Sequence, residues 1–517
     1  MGKIKIVKTP KPTVLNEFKG LNLDSTGDTS LELGESGNMT NWRITENKKL
    51  KKIEGYAQLF SNLSGTIRGM WNGRINGTEQ MLFAINSLLY ARTELSGVAY
   101  NSLDTSTYSN VDIVVTTVLN STQAGTTAVD NIVVVDNLVE VADIDIDYNS
   151  SVGKFFYNSS KEINLIVAKG TYINITEVRA GIGTKYVYTP IGTVADVTVN
   201  MFAFNDTLYI QDGTSYQYWN GTGSIGDVVG YVPIIFSATP PDGGGTALEG
   251  VNLLNSQKRQ QFNSDGTTAT YQLAETDVDS IDKVYLEGVL QTVTTDYTVN
   301  LTNGTITWVS TPDSGENDVE IYWTKDNDIR KEIEQCRTNM LFGGKNDTRV
   351  FMWGDVDNEN IIHYSDLDGN GLASAEYFPA NFFNEVGSNE YKVTDVVRQY
   401  DRQIIYTNKE TFYSYYDSYT NTDELTTVTF PVYTLNEVKG NVAFDQVRII
   451  NNNPYSIFDG VQEWIATDVR DERNAQYISK RVQPDLNDVD LSTAITIDWE
   501  QKWEYWLCVG TQVWVHN

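Results

Sequence analysis

Residues 336–416 read CRTNMLFGGKNDTRVFMWGDVDNENIIHYSDLDGNGLASAEYFPANFFNEVGSNEYKVTDVVRQYDRQIIYTNKETFYSYY. Apolar residues come in short bursts, Met340-Leu341-Phe342, Val350-Phe351-Met352-Trp353, Ile361-Ile362-His363-Tyr364, Val396-Val397, Ile404-Ile405-Tyr406 and Phe412-Tyr413, with Gly, Asn and Asp between them. That rhythm predicts short antiparallel strands joined by tight turns, because bursts this short are cut by residues that favour reversal.

The phrase recurs. Met201-Phe-Ala-Phe-Asn205-Asp-Thr-Leu208-Tyr-Ile210-Gln-Asp-Gly213-Thr-Ser-Tyr216-Gln-Tyr-Trp219 is a second copy, and residues 442–464 are a third, with a turn at Asp459-Gly460. Residues 81–90, 155–173 and 495–515 fit more loosely. One such meander cannot cover both its faces, so repeated copies predict an all-β chain whose body is β-propeller-like, interrupted by insertions. The alternative is an ordinary multi-sheet β protein whose hairpins resemble one another.

Composition agrees with the all-β reading. Aromatic residues make up 11% of 517 residues, with 30 Tyr and 11 Trp, and long amphipathic helical patterns are nearly absent. Lys and Arg number 38 against 68 Asp and Glu, a formal net charge of −30, which disfavours a conventional nucleic-acid binder. Basic residues concentrate at the start, in Lys3, Lys5, Lys8 and Lys11 and then in Lys48-Lys49-Leu50-Lys51-Lys52. They suit docking onto an acidic neighbour, or equally a solvated tail and turn. Cys336 and Cys508 belong to no CxxC pattern and are expected as free thiols. The opening MGKIKIVKTPKP lacks a signal-peptide core, and no window has the length of a membrane span.

In order, residues 1–55 read as an extended arm with small hairpins, and residues 56–95 as a blade segment. Residues 96–153 read as an inserted small sheet, carrying the alternating Asp143-Ile-Asp-Ile-Asp147 on what is expected to be one straight strand. Residues 154–231 read as blade again, 232–328 as an inserted β-sandwich with a short helix between Asn252 and Gln261, and 329–517 as further blades after one helical turn at 332–337. The end of the chain shows two strands, at 505–509 and 513–515, without a third. An exposed Trp-rich edge there predicts that the chain continues or that another element completes the sheet.

Catalytic material is sparse. The two histidines are His363, inside a strand and expected as a packed residue, and His516. No GxSxG, HExxH or GxxxxGK[ST] sequence occurs. Carboxylate pairs leave a glycosidase open, although Ser365-Asp-Leu-Asp-Gly369 misses the Ser-x-Asp-x-Gly box of propeller glycosidases because Leu367 stands where the Asp should be. Asp366, Asp368 and Asn370 form a candidate cation loop, and an Asx-turn closing a hairpin accounts for the same residues.

At Tyr364-Ser-Asp-Leu-Asp-Gly-Asn-Gly and Glu376-Tyr-Phe-Pro-Ala-Asn-Phe-Phe-Asn-Glu-Val-Gly387 the chain resembles the tail nozzle, or tail tubular, proteins of short-tailed phages, which are also described as head-tail or tail stabilisation proteins. The phrase from Val397 to Phe412, the opening Phe18-Lys-Gly-Leu-Asn and Asn41-Trp-Arg are similar to further segments of that family, and residues 284–308 to a β domain common in phage tails. The resemblance implies a non-catalytic virion tail component, assembled in the host cytoplasm as a homo-oligomeric, usually hexameric, ring around the channel for DNA ejection. Its partners would be an adaptor ring, tail fibres and DNA in transient, non-specific passage; no cofactor is implied. Lys3, Lys5, Lys8, Lys11, Tyr377, Phe378, Phe382 and Phe383 are then the candidate interface residues, aromatics being enriched at interfaces. The alternative function is a carbohydrate-binding tail module that recognises the host surface, with Tyr and Trp as platforms for sugar rings. A tail-associated glycosidase is the third reading.

Overall fold

The structure is a computed structural model that describes residues 15, 17–24, 31–45, 47–53, 65–95, 185–344, 347–420, 426–466 and 474–516, with short strands between 113 and 180. By its internal contacts the chain divides into two units, one formed by Met1–Gly69 with Val194–Asn517 and the other by Met70–Thr193. Strands dominate both. The described helices are single turns such as Lys331–Glu334 and Gln483–Leu486, so the all-β expectation holds. None of them is long and apolar enough to cross a membrane.

In the larger unit, five sheets are meanders whose strand order is the chain order. The first is Asn200–Phe204, Thr207–Gln211, Tyr216–Trp219 and Gly226–Asp227. The second is Thr338–Gly344, Asp347–Trp353, Ile361–Tyr364 and Phe383–Glu385. Val393–Gln399, Arg402–Thr407, Thr411–Tyr415 and Val432–Asn436 make the third. The fourth is Arg448–Ile450, Asn453–Ile457, Val461–Trp464 and Ala475–Tyr477. The fifth has Ile495–Trp499, Glu504–Val509 and Gln512–His516, so the final run carries a third strand that its sequence did not advertise. Turn chemistry sets the hairpins. Asn205 and Asp206 both take positive φ, 47° and 59°, as do Asn451 and Asn452 at 50° and 64°, the backbone of two-residue turns whose twist matches that of the strands they join.

Side-chain alternation then packs the meanders face to face. Val350 and Met352 of the second meander share a core with Phe202, Tyr209 and Tyr216 of the first, while Phe351 and Trp353 point the other way into a core with Val396, Ile405 and Phe412 of the third. Ile404 and Tyr406 of the third meet Val447 and Trp464 of the fourth. Ile450, Tyr455 and Ile457 of the fourth meet Tyr505 and Leu507 of the fifth. The opening strands of successive meanders touch. Strands buried on both faces read as continuous apolar runs, which is why Ile-Ile-Tyr and Val-Phe-Met-Trp bursts replace strict alternation.

The insert after the first meander holds a six-stranded sheet, ordered Thr246–Ala247, Ile234–Thr239, Gln257–Ser264, Gly315–Thr324, Ser280–Leu286 and Val289–Leu290. A three-stranded sheet of Thr270–Gln272, Thr305–Trp308 and Tyr297–Asn300 packs on it around Phe262, Tyr271, Ile306, Trp308, Ile321 and Trp323. The helix expected from Asn252 is absent: Asn252 bridges to Pro379, and Gln257–Ser264 is a strand whose side chains alternate half-buried and buried. That period of two, in Gln-Lys-Arg-Gln-Gln-Phe, outweighs the helical propensity of its polar residues.

In the smaller unit, Ile67–Ile75, Thr78–Ile85 and Leu88–Leu95 form a sheet completed by Lys185–Thr193, which returns after the long excursion between. The expected boundary at 153 is corrected by strand pairing. Thr171–Ile173 pairs with Thr127–Val129, and Val178–Ala180 with both Ile113–Val115 and Asp143–Ile144, so these two strands belong with the inserted segment. Asp143–Ile144 and Ile146–Asn149 lie in different sheets rather than on one straight strand.

The described part of the N-terminal segment lies on its own chain. Trp42–Ile44 pairs with Leu50–Lys52, Leu23 N donates to Arg481 O at 2.7 Å, Arg481 meets Glu35 at 3.2 Å and Arg43 meets Glu504 at 3.8 Å. Lys3, Lys5, Lys8 and Lys11 lie outside the described residues.

Candidate functional site

A densely bonded polar constellation lies where the insert leaves the body. Three strips of chain meet there: residues 228–234 leaving the first meander, residues 249–255 inside the insert, and residues 373–380 in the loop before the last strand of the second meander. Gly230 permits the meeting. It has φ +85°, and a Cβ on it would lie 2.9 Å from Leu254 Cβ.

Asn252 is the hub. Its Nδ2 donates to Tyr231 O and Glu376 O, both at 2.8 Å, and its Oδ1 accepts from Phe378 N at 2.9 Å and Leu254 N at 3.1 Å. All four hydrogen-bonding sites of the amide are filled, and the side chain is fully buried. Backbone bonds flank it, Leu253 N to Phe378 O and Ala380 N to Val251 O, both 2.8 Å. Tyr377 Oη donates to Gly250 O at 2.9 Å, and Tyr216 Oη to Ala375 O at 3.0 Å.

A charged layer covers the hub. Tyr231 Oη sits 3.0 and 3.1 Å from the two Glu249 oxygens and accepts from Arg259 Nη2 at 3.0 Å, while Arg259 also meets Glu320 at 3.3 Å. Tyr209 Oη donates to Glu376 Oε1 at 3.0 Å. Burial, with the Glu376 charge behind it, pushes the Tyr209 phenol well above its ordinary range, and burial likewise raises Tyr231 and Tyr377. All three hydroxyls therefore stay protonated near neutral pH and act as hydrogen-bond donors. Chemically the arrangement is a bracket. It fixes the insert against the first two meanders.

No family model matches the chain, and no curated protein matches it. Among solved structures it is similar to the extracellular domain of a one-component system from B. thetaiotaomicron, at 8% identity and a TM-score of 0.17, covering 99% of this chain and 60% of that one. The chain thus spans less than two thirds of that structure's length, and a likeness this slight carries no argument.

The residues singled out in the sequence fall into separate places. Tyr377 and Phe378 are buried within the chain, where a partner cannot reach them, which corrects their assignment as interface residues: the apolar burst is the insert's seat. Phe382 packs at the edge of the second core, and Phe383 is exposed beside His363. The cation loop resolves as a turn. Asp366 is held by Arg349, whose Nη1 also donates to Ser365 O at 3.1 Å, and Asp368 Oδ1 accepts from Asn370 N at 2.9 Å and Leu372 N at 3.0 Å. Among the described residues no three His, Cys, Asp or Glu side chains gather as a metal-ligand set.

His363 is packed, as expected. Neither ring nitrogen has a protein partner, and burial pulls its pKa down to about 4. Cys336 and Cys508 are free thiols; burial raises both. Sequence reasoning passed over Asn252, Tyr231, Glu249 and Arg259. The signal was there in Val251-Asn252-Leu253-Leu254, where one amide interrupts an apolar run, since a polar residue in such a run is buried only with its bonds satisfied.

Proposed function

We propose that the chain is a structural, non-catalytic component of a phage virion tail, one subunit of an oligomeric nozzle or neck ring around the DNA exit channel. The observation that carries the reading is the pairing of two features: a file of face-packed meanders, suited to a propeller-like body, and an insert bracketed to it by Asn252 and its neighbours. A projection bonded at its root holds one orientation, which suits an insert that meets a neighbouring subunit. The net charge of −30 supports the same role, because an acidic wall repels the phosphates of passing DNA instead of retaining them.

Mass photometry and electron microscopy of the purified protein, with virions labelled on residues 232–328, test the reading. The expected result is a closed ring of several copies and label at the tail. A strictly monomeric protein that is missing from particles overturns it.

A further inference from the structure

The core shared by the second and third meanders gives way at one end to a cleft of about 390 Å³. Phe342, on the first strand of the second meander, forms one wall, and Arg398, Asp401, Arg402, Tyr415 and Tyr416 of the third form the rest. Strand pairing brings two more side chains to this side of the sheet. Arg398 lies opposite Gln403 and Gln403 opposite Ser414, so all three share a face with Val396, Ile405 and Phe412 of the core. Gln403 and Ser414 are fully buried, yet Gln403 Nε2 and Ser414 Oγ have no hydrogen-bond partner in the protein. Buried polar groups are normally satisfied, and two left open on the side of a cleft point to a partner from outside the chain.

The cleft also differs in charge from the protein around it. Two guanidiniums and one carboxylate line it, in a chain whose formal net charge is −30. Arg398 Nε donates to Tyr400 O at 2.9 Å and its Cζ lies 5.9 Å from the centre of the Phe342 ring, so this guanidinium is held across the aromatic wall. Arg402 Cζ lies 5.3 Å from the centre of the Tyr413 ring. Tyr413 stacks on Tyr433, and Tyr433 on Tyr415, the last two rings 5.8 Å apart and 2° from parallel. A Cβ on Gly344 would come within 3.2 Å of the Tyr416 ring, so glycine lets that ring close on the neighbouring strand.

These features select a ligand. A guanidinium takes a carboxylate through a two-point fork. Phe342, Tyr415 and Tyr416 offer ring surfaces that pack on the C–H faces of a sugar, and Asp401 accepts from hydroxyls. The volume suits one or two sugar rings, whereas a protein partner would need about 800 Å² of surface on this side. We propose that the cleft between the second and third meanders binds an acidic saccharide, a uronic-acid unit whose carboxylate is held by Arg398 and whose hydroxyls meet Gln403, Ser414 and Asp401. The site lies within one chain, so it goes beyond the ring reading and does not depend on it.

Calorimetry of the full chain with digalacturonate tests the proposal. Binding in the millimolar range or tighter is expected, and binding about tenfold weaker for the neutral methyl ester. Arg398→Gln and, separately, Ser414→Ala should each weaken digalacturonate binding about tenfold and leave the melting temperature in place, because Arg398 is exposed and Ser414→Ala removes only an unpartnered hydroxyl. Absence of binding, equal binding of acid and ester, or binding untouched by both substitutions overturns the proposal. Displacement of the saccharide by an equal concentration of inorganic phosphate also overturns it, reducing the cleft to a bare anion site. Self-association that Arg398→Gln abolishes overturns it too, assigning the guanidinium to a carboxylate of a second copy. A closed ring seen by microscopy without digalacturonate binding leaves the ring reading standing and this one refuted.

Discussion

The side-chain carbonyl of Asn252 accepts the Phe378 amide at 2.9 Å, joining two points 126 residues apart in the chain. With the other three bonds of the same amide it ties the insert, the strip leaving the first meander and a loop of the second into one piece. Asn252→Leu keeps the approximate volume and removes all four partners, leaving the Phe378 and Leu254 amides buried without acceptors. An unsatisfied buried group costs about 1–3 kcal/mol, so a loss on the order of 3 kcal/mol is expected in urea unfolding. Hydrogen exchange should speed up at Phe378, and equal stability in the two proteins would remove the bracket from the account.

His363 makes the fold acid-sensitive. Burial among apolar neighbours lowers its pKa to about 4, the Asp355 charge opposing this more weakly. The unfolded chain takes up the proton near 6.5, so between pH 6.5 and 4 the unfolded state binds more protons than the native one. The stability is therefore fully present above pH 6.5 and declines as the pH falls through that window, by about 3 kcal/mol at most. His363→Phe also removes two unpartnered nitrogens beside Phe383. Its melting temperature is expected to change less between pH 7.5 and 4.5 than that of the parent protein.

Asp395 has the opposite sign. It lies between the third and fourth meanders, accepting from Val447 N at 2.8 Å, and burial, reinforced by the Asp445 charge, raises its pKa to about 7. The native state then holds a proton that the unfolded chain releases near 3.9, so this residue's contribution falls as the pH rises from 4 to 7 and is flat above. Asp395→Asn retains a carbonyl for the Val447 amide and cannot ionise. It is expected to raise the melting temperature at pH 8 and to leave it nearly unchanged at pH 4; an equal change at both values would show that the carboxyl does not titrate in that range.

The strands were legible in the sequence because turn residues mark their ends. Asn205-Asp206 and Asn451-Asn452 declare two-residue reversals, and the meanders around them appear where the aromatic bursts predict. Sheet membership was less legible. Lys185–Thr193 completes a sheet begun at Ile67–Ile75, and no local pattern reports a partner so far away. The same limit explains the bracket. Tyr377 and Phe378 read as interface aromatics until the insert's strip, contributed at Asn252, 126 positions before Phe378, is laid over them. Gln257–Ser264 misled for a different reason, since its buried side chains include Lys258 and Gln260, whose polar groups find partners across the insert.

Lys258 supplies the last test, because it is an ammonium group 1% exposed in the insert's core region. Its Nζ donates to both Glu275 oxygens, at 2.9 and 2.7 Å, and Trp323 Nε1 donates to Glu275 Oε2 at 3.1 Å. Removing one member of a buried pair leaves the other charge uncompensated, at a cost of about 3–5 kcal/mol where both are fully buried. The Glu275 side chain is 26% exposed and partly solvated, so Lys258→Met should cost less, about 2 kcal/mol. Lys258→Met with Glu275→Gln removes both charges while keeping an acceptor for Trp323. The double variant is expected to recover most of the loss in urea unfolding, since apolar replacement of a buried ion pair is often near neutral. If it proves as unstable as Lys258→Met alone, the lysine's packing, rather than its charge, holds the two sheets of the insert together.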